Sequence, residues 1–177
     1  MTPHTAQVAP APTSKPEAFE LIAIDRDHAK AIAFNMLFMT WRFHTHATAV
    51  RPCLEIVEGL AARFKEGVGV CHVVEADAIP PSAAARKLMS DVLRSPLVKH
   101  YSVTHEGGGF KAASIRAVVA GIHALARPSC EHSVHGSISV AAKWHARQQE
   151  AIGRPETSAQ IEATFEELRR RHRKAYP

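Results

Sequence analysis

The sequence predicts an α/β domain: a mixed, mostly parallel sheet of four to five strands, helices packed against it, and one extra helix at the C-terminus. Three observations carry this. Short runs of alternating or continuous apolar residues recur along the chain. Longer segments between them repeat apolar residues at spacings of three and four. Proline or glycine punctuates most junctions between the two patterns. Apolar residues make up 46% of the 177, which is enough for a packed core and too many for a disordered chain.

The first run, Phe19–Arg26, alternates apolar and polar residues and reads as a strand. His28–Lys30 turns the chain, and Ala31–Trp41, apolar at nearly every position, reads as a second strand paired in a hairpin. Its continuous apolarity predicts burial on both faces, hence a central position. A helix is expected over Arg51–Lys65, with Leu54, Val57, Leu60, Ala61 and Phe64 on its apolar stripe, Pro52 in the first turn and Gly67 beyond its end. Val68–Glu75 is a third strand. Pro80 and Pro81 open a helix over Ser82–Arg94, and Pro96 stops it. Leu97–Thr104 is a fourth strand, and Gly107, Gly108 and Gly109 form the loop into a helix over Phe110–Ala126. His132–Ile138 reads as a short fifth strand, Val140–Ile152 as a helix carrying Trp144, and Glu156–Lys174 as a final charged helix. Strands alternating with helices imply parallel crossovers, which bring the useful loops to the carboxyl ends of the strands. Residues 1–16, with four prolines, are expected to be a disordered tail. Residues 17–153 then form the domain and 154–177 the appended helix.

The formal charge is +5. Arg169, Arg170, Arg171, Arg173 and Lys174 supply five positive charges. Removing them from the 22 basic residues leaves 17, equal to the 17 acidic ones. Folded onto the last helix, they form a basic turn that suits the helix dipole. No interleaved aromatics accompany them, so nucleic acid is not the expected partner. The longest apolar stretch falls short of the roughly 18 residues of a membrane span. The first residues lack the basic and apolar regions of a secretory signal. Cys53, Cys71 and Cys130 are widely spaced and odd in number. They read as free thiols of a reducing, cytoplasmic compartment.

Twelve histidines are present. His44 and His46 follow the second strand, Glu75 and Asp77 the third, and His105 and Glu106 the fourth. With those strands parallel, the six residues share one edge, where a His/carboxylate cluster is a candidate divalent-metal site. His72 and His100 lie within strands and read as hydrogen-bonded core residues. The Gly107–Gly109 loop before a helix is a candidate anion site, aided by Lys111 and Arg116. Ser82 reads as a helix N-cap. Cys71 and His72 are adjacent in a strand, so they point to opposite faces and form no dyad. Arg42 is expected to pair with Glu75 or Asp77, or to recognise a ligand anion at the edge.

The hairpin followed by βα units resembles the STAS domain, the fold of bacterial anti-sigma-factor antagonists, and in particular small STAS-like bacterial proteins. The residues that carry the resemblance are Trp41-Arg42 with Thr45, Glu106-Gly107-x-Gly109-Phe110 leading into Ala113 and Arg116, and Ala141-Ala142-x-Trp144. They span about Phe19 to Ala146. Signalling STAS domains carry an Asp-Ser-Ser/Thr-Gly type segment with a phosphorylated serine after the third strand. Here the junction reads Ala76-Asp77-Ala78-Ile79-Pro80-Pro81-Ser82, so the motif is absent and Ser82 is its nearest equivalent. The resemblance implies a non-enzymatic regulatory module without a cofactor. It would dock a protein partner, or a second copy of itself, on the edge around His44–Thr48, Asp77–Ser82 and Glu106–Phe110. The alternative is a small-molecule, metal or lipid site, catalytic or not, on the same edge.

Overall fold

The computed structural model describes residues 19–177, without the side chains of residues 109–112. The tail expected over residues 1–16 lies outside the described residues. The chain runs β1 (Glu20–Ile24), β2 (His28–Ala33), β3 (Met36–Trp41), a single-turn helix α1 (Ala47–Val50), α2 (Cys53–Arg63), β4 (Val68–Val74), α3 (Ala83–Arg94), β5 (Val98–His105), α4 (Gly109–Ala126), β6 (Glu131–His135), α5 (Ile138–Ala151) and α6 (Ser158–Ala175). The described strands form one six-stranded mixed sheet in sequence order. β1, β2 and β3 make an antiparallel meander, and β3 to β6 run parallel.

Six strands stand where four to five were expected, because Ala31–Trp41 is not one strand. His28–Ala33 and Met36–Trp41 pair with each other, and only Phe34 and Asn35 lie between the paired residues Ala33 and Met36. Phe34 has φ +59°, a left-handed conformation that turns usually assign to glycine or asparagine. Burial of its ring holds it there: Phe34 packs with Ala33, Met36 and Phe38 in the core. Asn35 ties the turn to the next strand, donating from Nδ2 to the Gly67 carbonyl at 2.8 Å, and its own carbonyl accepts from Gly69 N–H.

The helices sort onto two faces. Leu37, Met39, Trp41, Val70, Tyr101 and Val103 face α2, α3 and α4. Ala29, Ala31, Phe38, Cys71 and Val73 face α5 and α6. β3 is buried at every residue and β4 at all but its last, as a central strand covered on both sides must be. Ser82 caps α3 by accepting from Ala85 N–H at 3.2 Å, and Thr157 and Gln160 form a reciprocal capping box on α6. The stripe on α6, Ile161, Phe165 and Leu168, is fully buried against the sheet, with the Phe165 ring edge-on to Phe38 at 4.9 Å. The C-terminal helix is thus half of the cover of one face. Phe165→Ala is expected to lower unfolding free energy in urea by about 3–5 kcal/mol. A loss below about 0.5 kcal/mol would show that α6 is merely appended.

Candidate functional site

β3, β4 and β5 end side by side, and backbone bonds tie the loops beyond them: Glu75 N–H donates to Trp41 O at 2.9 Å and Ile79 N–H to Phe43 O at 2.8 Å. The loops therefore share an edge, as parallel strands require, but the six side chains do not form one cluster. His44 and His46 are exposed and stack on each other at 5.2 Å. Both are attached to Asp27 in the β1–β2 turn, which accepts from His44 N–H at 3.2 Å and lies 3.5 Å from His46 Nε2. Glu75 and Glu106 are bridged by Arg169 of α6, at 3.4 and 2.9 Å. His105 turns inward: Nδ1–H donates to Val74 O at 3.1 Å, and its Nε2 lies under Gly107, where any side chain would meet it. Asp77 is exposed. Among the described residues, no three His, Cys, Asp or Glu side chains are grouped to hold a metal ion.

Arg42 pairs with neither Glu75 nor Asp77. It follows Trp41, and strand alternation sends it to the α6 side. There it donates to the Tyr176 carbonyl at the helix C-terminus and lies over the Phe43 ring. The basic turn is mostly paired as well. Arg169 and Arg173 reach Glu75, Arg170 and Arg171 both reach Glu167, and Lys174 is exposed. At the glycine loop, Gly108 is the N-cap of α4 without a side-chain cap bond, Gly109 begins the helix, and Arg116 is exposed. The Lys111 side chain lies outside the described part.

The distinctive feature lies just behind this edge, on the α3–α4 side of the sheet. A crevice of about 40 Å³ is walled by Val74, Val103, Met89, Ile115, Val119 and Ile122, with exposed Ile79 and Pro80 at its rim. Four polar rings line it: Trp41, His72, Tyr101 and His123. Trp41 Nε1–H donates to His72 Nδ1 at 2.9 Å. An indole N–H only donates, so Nδ1 must be the bare nitrogen and Nε2 carries the proton. The Nε2 atoms of His72 and His123 are both buried without a hydrogen-bond partner among the described residues. Burial pushes His72 down to about 3, and neighbouring His123 adds to the shift. Burial likewise lowers His123 to about 4. Both imidazoles are neutral at pH 7. Tyr101, wholly buried, is pushed far above its ordinary value, so its hydroxyl stays protonated. On the outer side of Trp41, His28 stacks at 5.4 Å and is held by Asp25 at 2.9 Å.

The opposite face holds a second polar group, which no sequence pattern brings together. His100 and His145 approach through their Nδ1 atoms at 2.8 Å, and Ser102 Oγ lies 2.6 Å from His145 Nε2. The Ser–His pair is fully buried where α5 meets β5, so it is a core network without access for a substrate.

No protein-family model, curated protein or solved structure matches the chain. No described helix is long and apolar enough to cross a membrane.

The histidines give stability a defined pH dependence. His72, His100 and His123 have folded values of about 3, 4 and 4, below the ordinary 6.5. The unfolded chain therefore binds protons that the folded chain does not, and stability falls as pH drops from 6.5 toward 4. The urea midpoint is expected to be lower at pH 5 than at pH 7. An unchanged midpoint would mean that these rings are protonated or solvated in the fold.

Proposed function

We propose that the chain is a non-enzymatic regulatory module of STAS-like type that takes a small apolar molecule into the crevice behind its loop edge. The crevice carries this reading: apolar walls around a few placed polar groups are the usual makeup of a ligand site. The meander followed by three βα units supports the STAS-like assignment. The non-enzymatic reading is supported by the edge itself, where charged groups are spent on one another through Asp27 and Arg169. No cofactor is needed for such binding.

A specific observation favours a second use of the same edge. Ile79 is 43% exposed at the crevice rim, next to Pro80, and its N–H donates to the carbonyl of Phe43, the residue before His44. A protein partner that covers Ile79 and Pro80 would remove their apolar surface from water.

Xenon tests the ligand reading, because it enters small apolar cavities without any hydrogen bond. Under xenon pressure, the methyl resonances of Val103, Val119 and Ile122 are expected to shift selectively. Val118→Phe, at the crevice wall, is expected to abolish those shifts while leaving the circular dichroism spectrum unchanged. Absence of methyl shifts in the unsubstituted protein would overturn the ligand reading.

A further inference from the structure

We propose that the crevice selects a small neutral carbonyl compound, whose oxygen accepts the hydrogen bond that His72 Nε2–H has to give. This rests on the ligand reading above and adds the chemistry of the ligand.

The Trp41 indole proton occupies His72 Nδ1 and so fixes the tautomer. His72 then offers a donor, and it cannot switch to an acceptor without losing the Trp41 bond. The ring lies in the crevice wall, and its Nε2, which has no acceptor among the described residues, is closed to water in the free structure, so a ligand reaches it by parting the wall beside the ring. A buried donor without a partner destabilises the fold, and an incoming acceptor relieves that cost. The remaining walls are apolar, apart from Tyr101, Thr45 and His123.

Charge narrows the ligand further. Neither His72 nor His123 is cationic at pH 7, since burial depresses both. The arginine network around Arg169 lies at the α6 end of the edge and is occupied by Glu75 and Glu106. No lining residue is charged, and Arg86 reaches only the Pro81 carbonyl at the rim, so a carboxylate or phosphate held at His72 would be buried without a counter-charge among them, which is strongly unfavourable. The acceptor must be neutral. Size limits it as well. With one water needing about 10–15 Å³, a cavity of about 40 Å³ takes about three water-sized groups. That fits a ketone, aldehyde or ester of a few heavy atoms, with its far end at the Ile79–Pro80 rim.

Three probes of nearly equal shape separate the possibilities: 2-butanone, 2-methyl-1-butene and propanoate. Each is titrated into the full-length protein at pH 7, following the crevice methyls and the His72 imidazole nitrogens by NMR. The ratio of ketone to alkene affinity is expected to be about two- to tenfold higher in the unsubstituted protein than in His72→Phe, the worth of one neutral hydrogen bond. 2-Butanone alone should move the His72 Nε2 resonance. Propanoate is expected to be the weakest of the three. In His72→Phe the ketone loses its donor, so its affinity should fall while that of the alkene holds. If that variant fails to fold, the Nε2 resonance of the unsubstituted protein still reports whether the ketone takes the hydrogen bond. A ratio of ketone to alkene affinity unchanged by His72→Phe, or a bound ketone that leaves the Nε2 resonance in place, would overturn the role of His72 while leaving an apolar crevice in place. Preference for propanoate would overturn the requirement for a neutral acceptor. If no probe moves the crevice methyls, the ligand reading itself falls.

Discussion

The structure depends on one topological constraint. Three successive parallel connections, β3 to β4 to β5 to β6, carry α2, α3 and α4 to the same side of the sheet. The other side of strands as apolar as β3 and β4 would then stand in water. α5 and α6 cover it, and their buried residues meet Phe38, Cys71 and Val73. That requirement also sets the charge distribution. Seating Phe165 and Leu168 on the sheet brings the end of α6 to the carboxyl edge of the strands, where Arg169 and Arg173 find Glu75 and Glu106. Arg169 and Arg173 thus latch α6 to the edge, while Arg170 and Arg171 pair with Glu167 on α6 itself.

The same layering makes the crevice. Strand alternation puts His72, Tyr101 and Trp41 on the α3–α4 side, among branched and apolar side chains. Low polarity keeps the imidazoles uncharged, and the single bond from Trp41 decides which nitrogen of His72 carries the proton. A flexible hydrogen-bonding side chain would adapt to many ligands. A ring held by its neighbour presents one fixed donor, which is how a small site gains selectivity without net charge.

Most of the architecture was legible because its signals were local. Pro80, Pro81 and Pro96 bound α3, Ser82 caps it, and the spacing of Ile161, Phe165 and Leu168 marks the buried face of α6. The Phe34–Asn35 turn was not legible. It contains no glycine, and a buried phenylalanine in the left-handed region depends on packing that no local pattern reveals. At the edge, parallel strands implied shared loops, and the loops are shared. What each side chain does there is decided by distant partners: Asp27 for His46, Tyr176 for Arg42, Arg169 for Glu75 and Glu106. The crevice was hidden for a similar reason. His72 was legible as a core histidine, but its role comes from Trp41 and His123, 31 and 51 positions away in the sequence.

The selective crevice is tested most directly by the protonation state of His72 in the free protein, read from the nitrogen and proton resonances of its imidazole between pH 7 and pH 5. A neutral ring is predicted throughout, with the proton on Nε2 and a bare Nδ1 coupled to the Trp41 indole proton. A proton on Nδ1, or an imidazolium appearing within that range, would contradict both the buried Trp41–His72 bond and the selectivity built on it.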